Sequence, residues 1–288
     1  MARLAVVGVG RIGGEVAYMA ASLGIVDELV LYDHTPSLLH AQTLDMLHTG
    51  LDISISTDPA GIRNADLCVF SAGLPRNPSV KTRADLLDAN LPATDFCAGL
   101  LAGFSGVLLT VTNPMDVNNY YLCKKTGIPR ERCIGFGGQL DSARFGIALR
   151  KRSIPGSPFV MGEHGDHQVP VFSRLPHAVP EPVRDEILAE LRGASMEVIK
   201  GKGGTVFGPA LHLSNLIRMV LSDTRELTIC SAVLDGEYGQ SGCSLGVPVR
   251  IGGEGILKIE EWNLDRWEME QLTGAGRFTQ EISRRAVS

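Results

Sequence analysis

The chain has 288 residues, of which 44% are hydrophobic and 20% charged, and its formal net charge is −5 at pH 7. This composition is typical of a soluble globular protein of one large or two ordinary domains, and it excludes a disordered chain. The acidic balance argues against a nucleic-acid partner, and no apolar segment approaches the roughly 20 residues that cross a bilayer. The six cysteines lack metal-like spacing, so we expect no metal site and predict a reducing, cytoplasmic setting.

Short apolar runs alternate with helical patterns in the first half of the chain. In chain order, the predicted strands and helices are Leu4–Val9, Gly13–Leu23, Leu29–Tyr32, Ser37–His48, Leu67–Ser71 and Val107–Thr112. Alternation of this kind predicts a parallel sheet with helices on both faces.

The pattern changes after about Gly138. The predicted elements become Phe159–Gly162, the helices Val183–Lys200 and Phe207–Leu221, the strands Thr228–Leu234, Ser244–Arg250 and Ile256–Ile259, and a final helix Asp265–Arg285. Strands grouped between helices are typical of an α+β unit. We therefore predict an α/β protein in which residues 1–138 form a dinucleotide-binding domain and residues 139–288 an α+β catalytic domain.

A glycine motif lies between the first predicted strand and the first predicted helix. Gly8, Gly10 and Gly13 form G-x-G-x-x-G, with Val9, Arg11 and Ile12 between them. In a Rossmann doubly wound sheet, such glycines allow the tight turn, the close approach of a pyrophosphate and the packing of helix on strand. Asp33 ends the second strand, where a carboxylate accepts hydrogen bonds from ribose hydroxyls and repels a 2′-phosphate. The motif therefore favours NAD over NADP, although glycines in a βα turn can also be purely structural.

Four later stretches carry the remaining polar signals. They are AGLPRNPSVKTRADLLDAN at 72–90, VTNPMD at 111–116, GGQLDSARF at 137–145 and GEHGDH at 162–167. With the glycine motif and Asp33, their order resembles the lactate/malate dehydrogenase family, and within it the malate dehydrogenases of the lactate-dehydrogenase-like kind. The resemblance covers nearly the whole chain, including GEYGQSGCSLGVPVRIGGEGI before the last helix.

The resemblance implies roles for individual residues. His164 would be the proton donor and acceptor, Asp141 its carboxylate partner, and Arg144 the residue that holds the C1 carboxylate of the substrate. Arg83 would polarise the reacting carbonyl. Taken singly, His164 at a strand end and an Asp141–Arg144 ion pair on a helix surface also have purely structural interpretations.

The substrate loop and the cofactor wall complete the set that the resemblance implies. Arg76 would bind the second carboxylate of a small dicarboxylate, where lactate-specific relatives carry a neutral Gln. In relatives the second loop arginine commonly stands six positions after the first, whereas Arg83 stands seven positions after Arg76, so Lys81 is an alternative to Arg76. Asn113, preceding a cis Pro114, would orient substrate and nicotinamide, and Val111, Thr112 and Asn90 would line the cofactor. Thr205 is a further candidate for the substrate pocket, and His167 is interpreted as a bystander.

The resemblance therefore implies an NAD-dependent malate dehydrogenase that interconverts (S)-malate and oxaloacetate, and it predicts a homodimer or homotetramer. The alternative within the same chemistry is a lactate or other 2-hydroxy acid dehydrogenase. NAD-dependent glycosidases hold a metal with Cys and His, and no such pair stands beside the TNP segment. A non-catalytic NAD-binding protein is expected to lack His164, Asp141 or an arginine, and all of these are present.

Overall fold

The structure is a computed structural model that describes residues 1–74 and 83–287, with the side chain of Arg83 outside the described part. Within those ranges the strands are β1 (Arg3–Val7), β2 (Glu28–Tyr32), β3 (Ser54–Ser56), β4 (Leu67–Phe70), β5 (Val107–Thr110), β6 (Cys133–Gly135), β7 (Val160–Gly162), β8 (Gln168–Pro170), β9 (Leu227–Asp235), β10 (Ser241–Gly252) and β11 (Gly255–Ile259). The α-helices in the same ranges are α1 (Gly13–Ser22), α2 (Pro36–His48), α3 (Arg83–Leu100), α4 (Met115–Thr126), α5 (Gly138–Lys151), α6 (Glu181–Lys202), α7 (Phe207–Leu221) and α8 (Arg266–Val287).

The first six strands form a parallel sheet in the order β3-β2-β1-β4-β5-β6. This is the strand order of a Rossmann sheet, which reverses direction of winding between β1 and β4 and binds its ligand outside the carboxyl ends of those strands. Ala5 of β1 pairs with Val30 on one side and Cys68 on the other, and all three are fully buried. The predicted Rossmann doubly wound sheet is confirmed.

The sheet continues into the second half of the chain. Ile134 of β6 pairs with Ala232 of β9 in antiparallel register, and the order then runs β9-β10-β7-β8, with β11 on β10. Helices α6 and α8 belong to this half, so the predicted α+β character is confirmed. The loop between β7 and β8 spans residues 163–167 and carries His164.

One apolar core joins the two halves of the chain. Val16 and Ala17 of α1 share a buried cluster with Leu213 and Ile217 of α7, and α1 packs directly on α7. The small residues along α1 permit this close approach. The division at residue 138 stays a prediction. In the described part of the chain, no helix combines the length and the apolar character needed to span a membrane.

Candidate active site

The glycine turn after β1 is shaped by close packing. Gly8 has a φ of +91°, and a Cβ there would overlap the backbone of Ala72, which follows β4. A Cβ at Gly13 would overlap the carbonyl oxygen of Gly8. A Cβ at Gly10, by contrast, would meet nothing within 4 Å. The first and third glycines are therefore required by the chain itself, and the second leaves the open side that a pyrophosphate needs.

The residues between these glycines contribute in different ways. Val9 is fully buried, and Ile12 packs partly buried against the core. Arg11 is exposed, and its guanidinium lies beside Gly203 at the end of α6, where a Cβ would stand 2.9 Å from Nη1. The turn thus presents a cation next to the N-terminal end of α1, an arrangement that suits a phosphate group.

Asp33 stands at the end of β2 and supports the same turn. Its Oδ2 accepts a hydrogen bond from the backbone N–H of Val9 at 3.1 Å, and its Oδ1 accepts one from Thr35 N–H at 2.9 Å. A carboxylate has about four acceptor positions, so it can hold the turn and still accept from a ribose diol. The structure therefore gives Asp33 a local role that the motif alone did not predict.

Asn90 of α3 ties together two loops on the next wall of the cleft. Its Oδ1 accepts from Leu74 N–H at 2.6 Å, and its Nδ2 donates to the carbonyl of Asn113 at 2.8 Å. Because the backbone of Leu74 and Asn113 engages its amide, Asn90 holds these two loops together. Its predicted contact with the cofactor stays a prediction.

The segment after β5 lies on the same side of the cleft. Thr112 donates its hydroxyl to the carbonyl of Ala72 at 2.7 Å, and Val111 is partly buried against the core. The peptide bond between Asn113 and Pro114 is cis, which confirms that expectation. The carboxyl ends of β1, β4 and β5 therefore meet at one edge, where Gly8, Ala72 and Thr112 are linked.

His164 and Asp141 are brought together from separate elements. Nδ1 of His164, in the β7–β8 loop, lies 2.6 Å from Oδ2 of Asp141 in the first turn of α5. Oδ1 of the same carboxylate accepts a hydrogen bond from Nη1 of Arg144 at 3.0 Å. Asp141 is 2% exposed, whereas the side chain of His164 is 19% exposed. A buried carboxylate thus holds one imidazole nitrogen while the ring reaches the cleft.

Gly137 makes room for that imidazole ring. A Cβ at this position would stand 2.6 Å from Cγ of His164. Gly137 belongs to the GGQLDSARF stretch, but no local pattern indicates its role, because the contact joins residues that are far apart in the sequence.

The charges around His164 favour its protonated form. Burial alone would lower the pKa of His164, but the charge and hydrogen bond of Asp141, aided by Asp116, outweigh burial and the opposing charge of Arg144. The net result is a pKa raised above the ordinary value of histidine. An imidazole held in this way accepts a proton readily and is stabilised once charged.

The proposed substrate cations are only partly described. Arg76 and Lys81 lie outside the described residues, and so does the side chain of Arg83, whose backbone begins α3. Thr205 lies two residues before α7, and its role stays a prediction. Within 1–74 and 83–287, no group of three or more His, Cys, Asp or Glu side chains could hold a metal ion.

Two polar features beside the site were not found from the sequence. Asp116, in the first turn of α4, accepts the backbone N–H of His164 at 2.8 Å. His212 of α7 has its pKa lowered by burial and by the neighbouring charge of Arg144. His167, which the sequence indicated as a bystander, has its ring stacked on Phe278 of α8, with 4.2 Å between ring centroids. Asp116 belongs to the VTNPMD stretch, and its position two residues after Pro114 was the available signal.

Comparisons with known proteins agree with this geometry. Residues 2–135 match the family model of the lactate/malate dehydrogenase NAD binding domain, and residues 139–283 match that of the alpha/beta C-terminal domain. A malate dehydrogenase of Halobacterium salinarum is 37% identical, with 96% of each chain covered. An L-lactate dehydrogenase 2 of Bacillus cereus is 31% identical, over 97% of this chain and 96% of the relative.

A solved structure extends the likeness to the fold. The malate dehydrogenase from Archaeoglobus fulgidus, in complex with NADH, superposes with a TM-score of 0.91 at 30% identity, over 99% of this chain and 100% of that one. The matched sequences cover both the glycine turn and the His164 loop. The chain therefore belongs to the lactate/malate dehydrogenase family.

Proposed function

We propose that this protein is an NAD-dependent malate dehydrogenase that interconverts (S)-malate and oxaloacetate. The observation that carries the proposal is the hydrogen-bonded set of His164, Asp141 and Arg144, in a chain whose glycine turn leaves open space at Gly10. The 37% identical malate dehydrogenase supports the same substrate class.

His164 performs the proton transfer in this proposal. NAD held at the glycine turn of Gly8, Gly10 and Gly13 would supply the hydride acceptor for malate oxidation, and NADH the hydride donor for oxaloacetate reduction. Nδ1 of His164 is engaged by Asp141, so we assign Nε2 to the substrate. Nε2 takes the hydroxyl proton during oxidation and gives it back during reduction, while the Asp141 carboxylate stabilises the imidazolium.

Arginines bind the two carboxylates of the substrate in this proposal. Arg144 is 15% exposed and keeps Nη1 on Asp141. Its remaining N–H groups form a planar fork that matches the C1 carboxylate, a geometry that Lys lacks. Arg83 polarises the carbonyl, and Arg76 binds the second carboxylate; Lys81 is the alternative to Arg76.

A second candidate is a lactate or other 2-hydroxy acid dehydrogenase. The observation in its favour is the 31% identical L-lactate dehydrogenase 2, which covers nearly the same length of chain. Both candidates use the same proton transfer at His164, and they differ only in whether a cation binds the second substituent of the substrate.

One assay separates the candidates. NADH oxidation is measured with oxaloacetate, pyruvate and 2-oxoglutarate side by side, at equal concentrations and with the same enzyme stock. We expect oxaloacetate to have the highest kcat/KM. A higher kcat/KM with pyruvate would overturn the malate assignment in favour of the second candidate, and no turnover with any of the three would overturn both.

We also propose a cytoplasmic homodimer or homotetramer that serves the tricarboxylic acid cycle. All six cysteines are buried and free, which suits a reducing compartment. Light scattering coupled to size exclusion distinguishes the two assembly states, and a monomeric mass would overturn both.

A further inference from the structure

A buried chain of hydrogen bonds leads from the interior of the molecule to the backbone of His164. Asn119 of α4 donates from Nδ2 to Oγ of Ser244 at 2.9 Å, and the hydroxyls of Ser244 and Ser231 lie 2.8 Å apart. Ser231 donates to Oδ1 of Asp116 at 2.6 Å, and Oδ2 of Asp116 accepts the His164 N–H at 2.8 Å. Asp116 is 2% exposed, and Asn119, Ser231 and Ser244 are fully buried.

The direction of these bonds follows from the available protons. The amide of Asn119 can only donate at Nδ2, so Ser244 accepts there and donates to Ser231, which in turn donates to Asp116. Both oxygens of Asp116 therefore act as acceptors, one for a hydroxyl and one for a backbone N–H. An ionised carboxylate satisfies this pattern, and the N-terminal end of α4 favours its negative charge.

The charges near this carboxylate come from several elements. Glu163, 4% exposed, precedes His164 in the β7–β8 loop. On β10, burial and, to a smaller extent, the charge of Asp116 raise the pKa of the Cys243 thiol. Burial and the charge of Glu163 raise the pKa of Asp116 to about 6, against the lowering effect of its hydrogen bonds to Ser231 and His164. His164 itself is influenced by Asp141 and Arg144 from α5 and by Asp116 from α4.

We propose that Asp116 is a positioning residue for the proton transfer at His164, and this inference rests on the proposed function. Its hydrogen bond fixes the backbone from which the imidazole projects, and its charge adds to that of Asp141 in stabilising the imidazolium. Asp141 acts on the ring, and Asp116 acts through the main chain of the same residue. His164 is thus held at two points, from α5 and from α4.

Three variants test this role. Asp116→Asn keeps an acceptor for the His164 N–H but removes the charge, and Asp116→Ala removes both. The matched control is Glu268→Gln in the first turn of α8. The fully buried Glu268 carboxylate likewise accepts a backbone N–H and a serine hydroxyl, both from Ser173, at 2.8 Å and 2.6 Å.

The first measurement is the pH dependence of kcat/KM for malate oxidation. Oxidation needs the neutral imidazole, so the rate rises with pH through the pKa of His164. Removal of the Asp116 charge lowers that pKa, and the midpoint of Asp116→Asn should move to lower pH. Glu268→Gln should keep the wild-type midpoint, even if its melting temperature falls.

The second measurement separates positioning from folding. For Asp116→Ala, we expect kcat for malate oxidation to fall about ten- to a hundredfold, because small displacements of a reacting group are costly. The Kd for NADH should stay within about twofold, since the glycine turn is unchanged. An equal loss in Glu268→Gln, or a loss confined to the Kd for NADH, would overturn the proposal.

The imidazole pKa of His164 can also be measured by NMR, without turnover. A wild-type pKa in Asp116→Asn would overturn the proposal whatever the substrate proves to be, whereas a wild-type enzyme inactive with malate would overturn only the proposed function. If Asp116→Asn does not fold, Ser231→Ala replaces it. Loss of that hydroxyl raises the pKa of Asp116, so the His164 midpoint should move in the same direction by less, and an unchanged midpoint would overturn the proposal.

Discussion

The two sides of the cleft are built by different means. On the cofactor side, Gly8 and Gly13 are required because a Cβ at either would overlap neighbouring backbone. On the proton-transfer side, Asp141 binds both His164 and Arg144 through buried, charge-assisted hydrogen bonds. Steric fit therefore shapes the cofactor side, and electrostatics shapes the proton-transfer side. Substitutions on the first side should change stability or NADH binding, and those on the second should change turnover.

The largest expected effect lies on the electrostatic side. His164→Asn keeps a polar side chain of similar size but cannot act as an acid or base near neutral pH. We expect kcat for oxaloacetate reduction to fall about 10²- to 10⁴-fold, with the Kd for NADH nearly unchanged. Exposed His177 supplies the control, His177→Asn, which should retain wild-type turnover. Wild-type turnover in His164→Asn would remove this residue from the mechanism.

The next effect concerns substrate choice. Arg76 lies outside the described residues, and we predict that its segment covers the pocket. An unpaired guanidinium excluded from water there would be costly, and a second carboxylate would remove that cost. Arg76→Gln should lower kcat/KM for oxaloacetate and raise kcat/KM for pyruvate. Their kcat/KM ratio should change about 10²-fold if a charge-assisted bond of roughly 1.5–3 kcal/mol is lost and pyruvate gains.

Lys81→Ala tests the alternative that the longer loop creates. The ratio of the two kcat/KM values should be unaffected by Lys81→Ala if Arg76 is the discriminating cation. The opposite pattern, a shift with Lys81→Ala and none with Arg76→Gln, would assign the second carboxylate to Lys81.

The difference between the two regions also explains what the sequence could predict. The Rossmann sheet was predictable because β1 and β4 are short apolar runs buried on both faces, and the glycine spacing depends on local backbone geometry. The three-residue strand β7 was predicted from the run Phe159–Gly162, whereas β3, β6 and β8, also of three residues each, were not predicted. Pairing with neighbouring strands defines them.

The candidate site shows the same limit. Asp141 and Arg144 are close in sequence, and family resemblance supplied their link to His164. The hydrogen bond from Ser231 to Asp116 joins residues 115 positions apart, and no local pattern indicates it. Contacts that depend on the arrangement of α4, β9 and the β7–β8 loop require the folded structure.

A smaller effect tests the steric side. Gly10→Ala should leave the free energy of unfolding within about 0.5 kcal/mol of wild type, because its Cβ meets nothing within 4 Å. The same substitution should raise the Kd for NADH about tenfold, because the added methyl group obstructs the pyrophosphate. Gly13→Ala should cost about 1–3 kcal/mol of stability, because the turn must move. Denaturant unfolding and NADH titration distinguish the two, and equal stability losses would contradict the assignment of open space to Gly10.

The smallest expected effect concerns Asp33, at which steric fit and electrostatics both matter. Its carboxylate accepts the Val9 N–H of the turn, and we predict that it also accepts hydrogen bonds from the ribose hydroxyls, so sterics and charge would both act there. A 2′-phosphate would compete with it at a cost of roughly 1 kcal/mol or more, which is about fivefold in affinity. Asp33→Ser should therefore narrow the preference for NADH over NADPH by about that factor, measured as the ratio of the two kcat/KM values.

His34 has Nδ1 3.4 Å from Oδ1 of Asp33. A positive charge on this imidazole would attract a 2′-phosphate, so His34→Ala should widen the preference for NADH over NADPH. A wild-type enzyme that already prefers NADPH would show that His34 or Thr35 outweighs the carboxylate, and the NAD specificity assigned to Asp33 would be wrong.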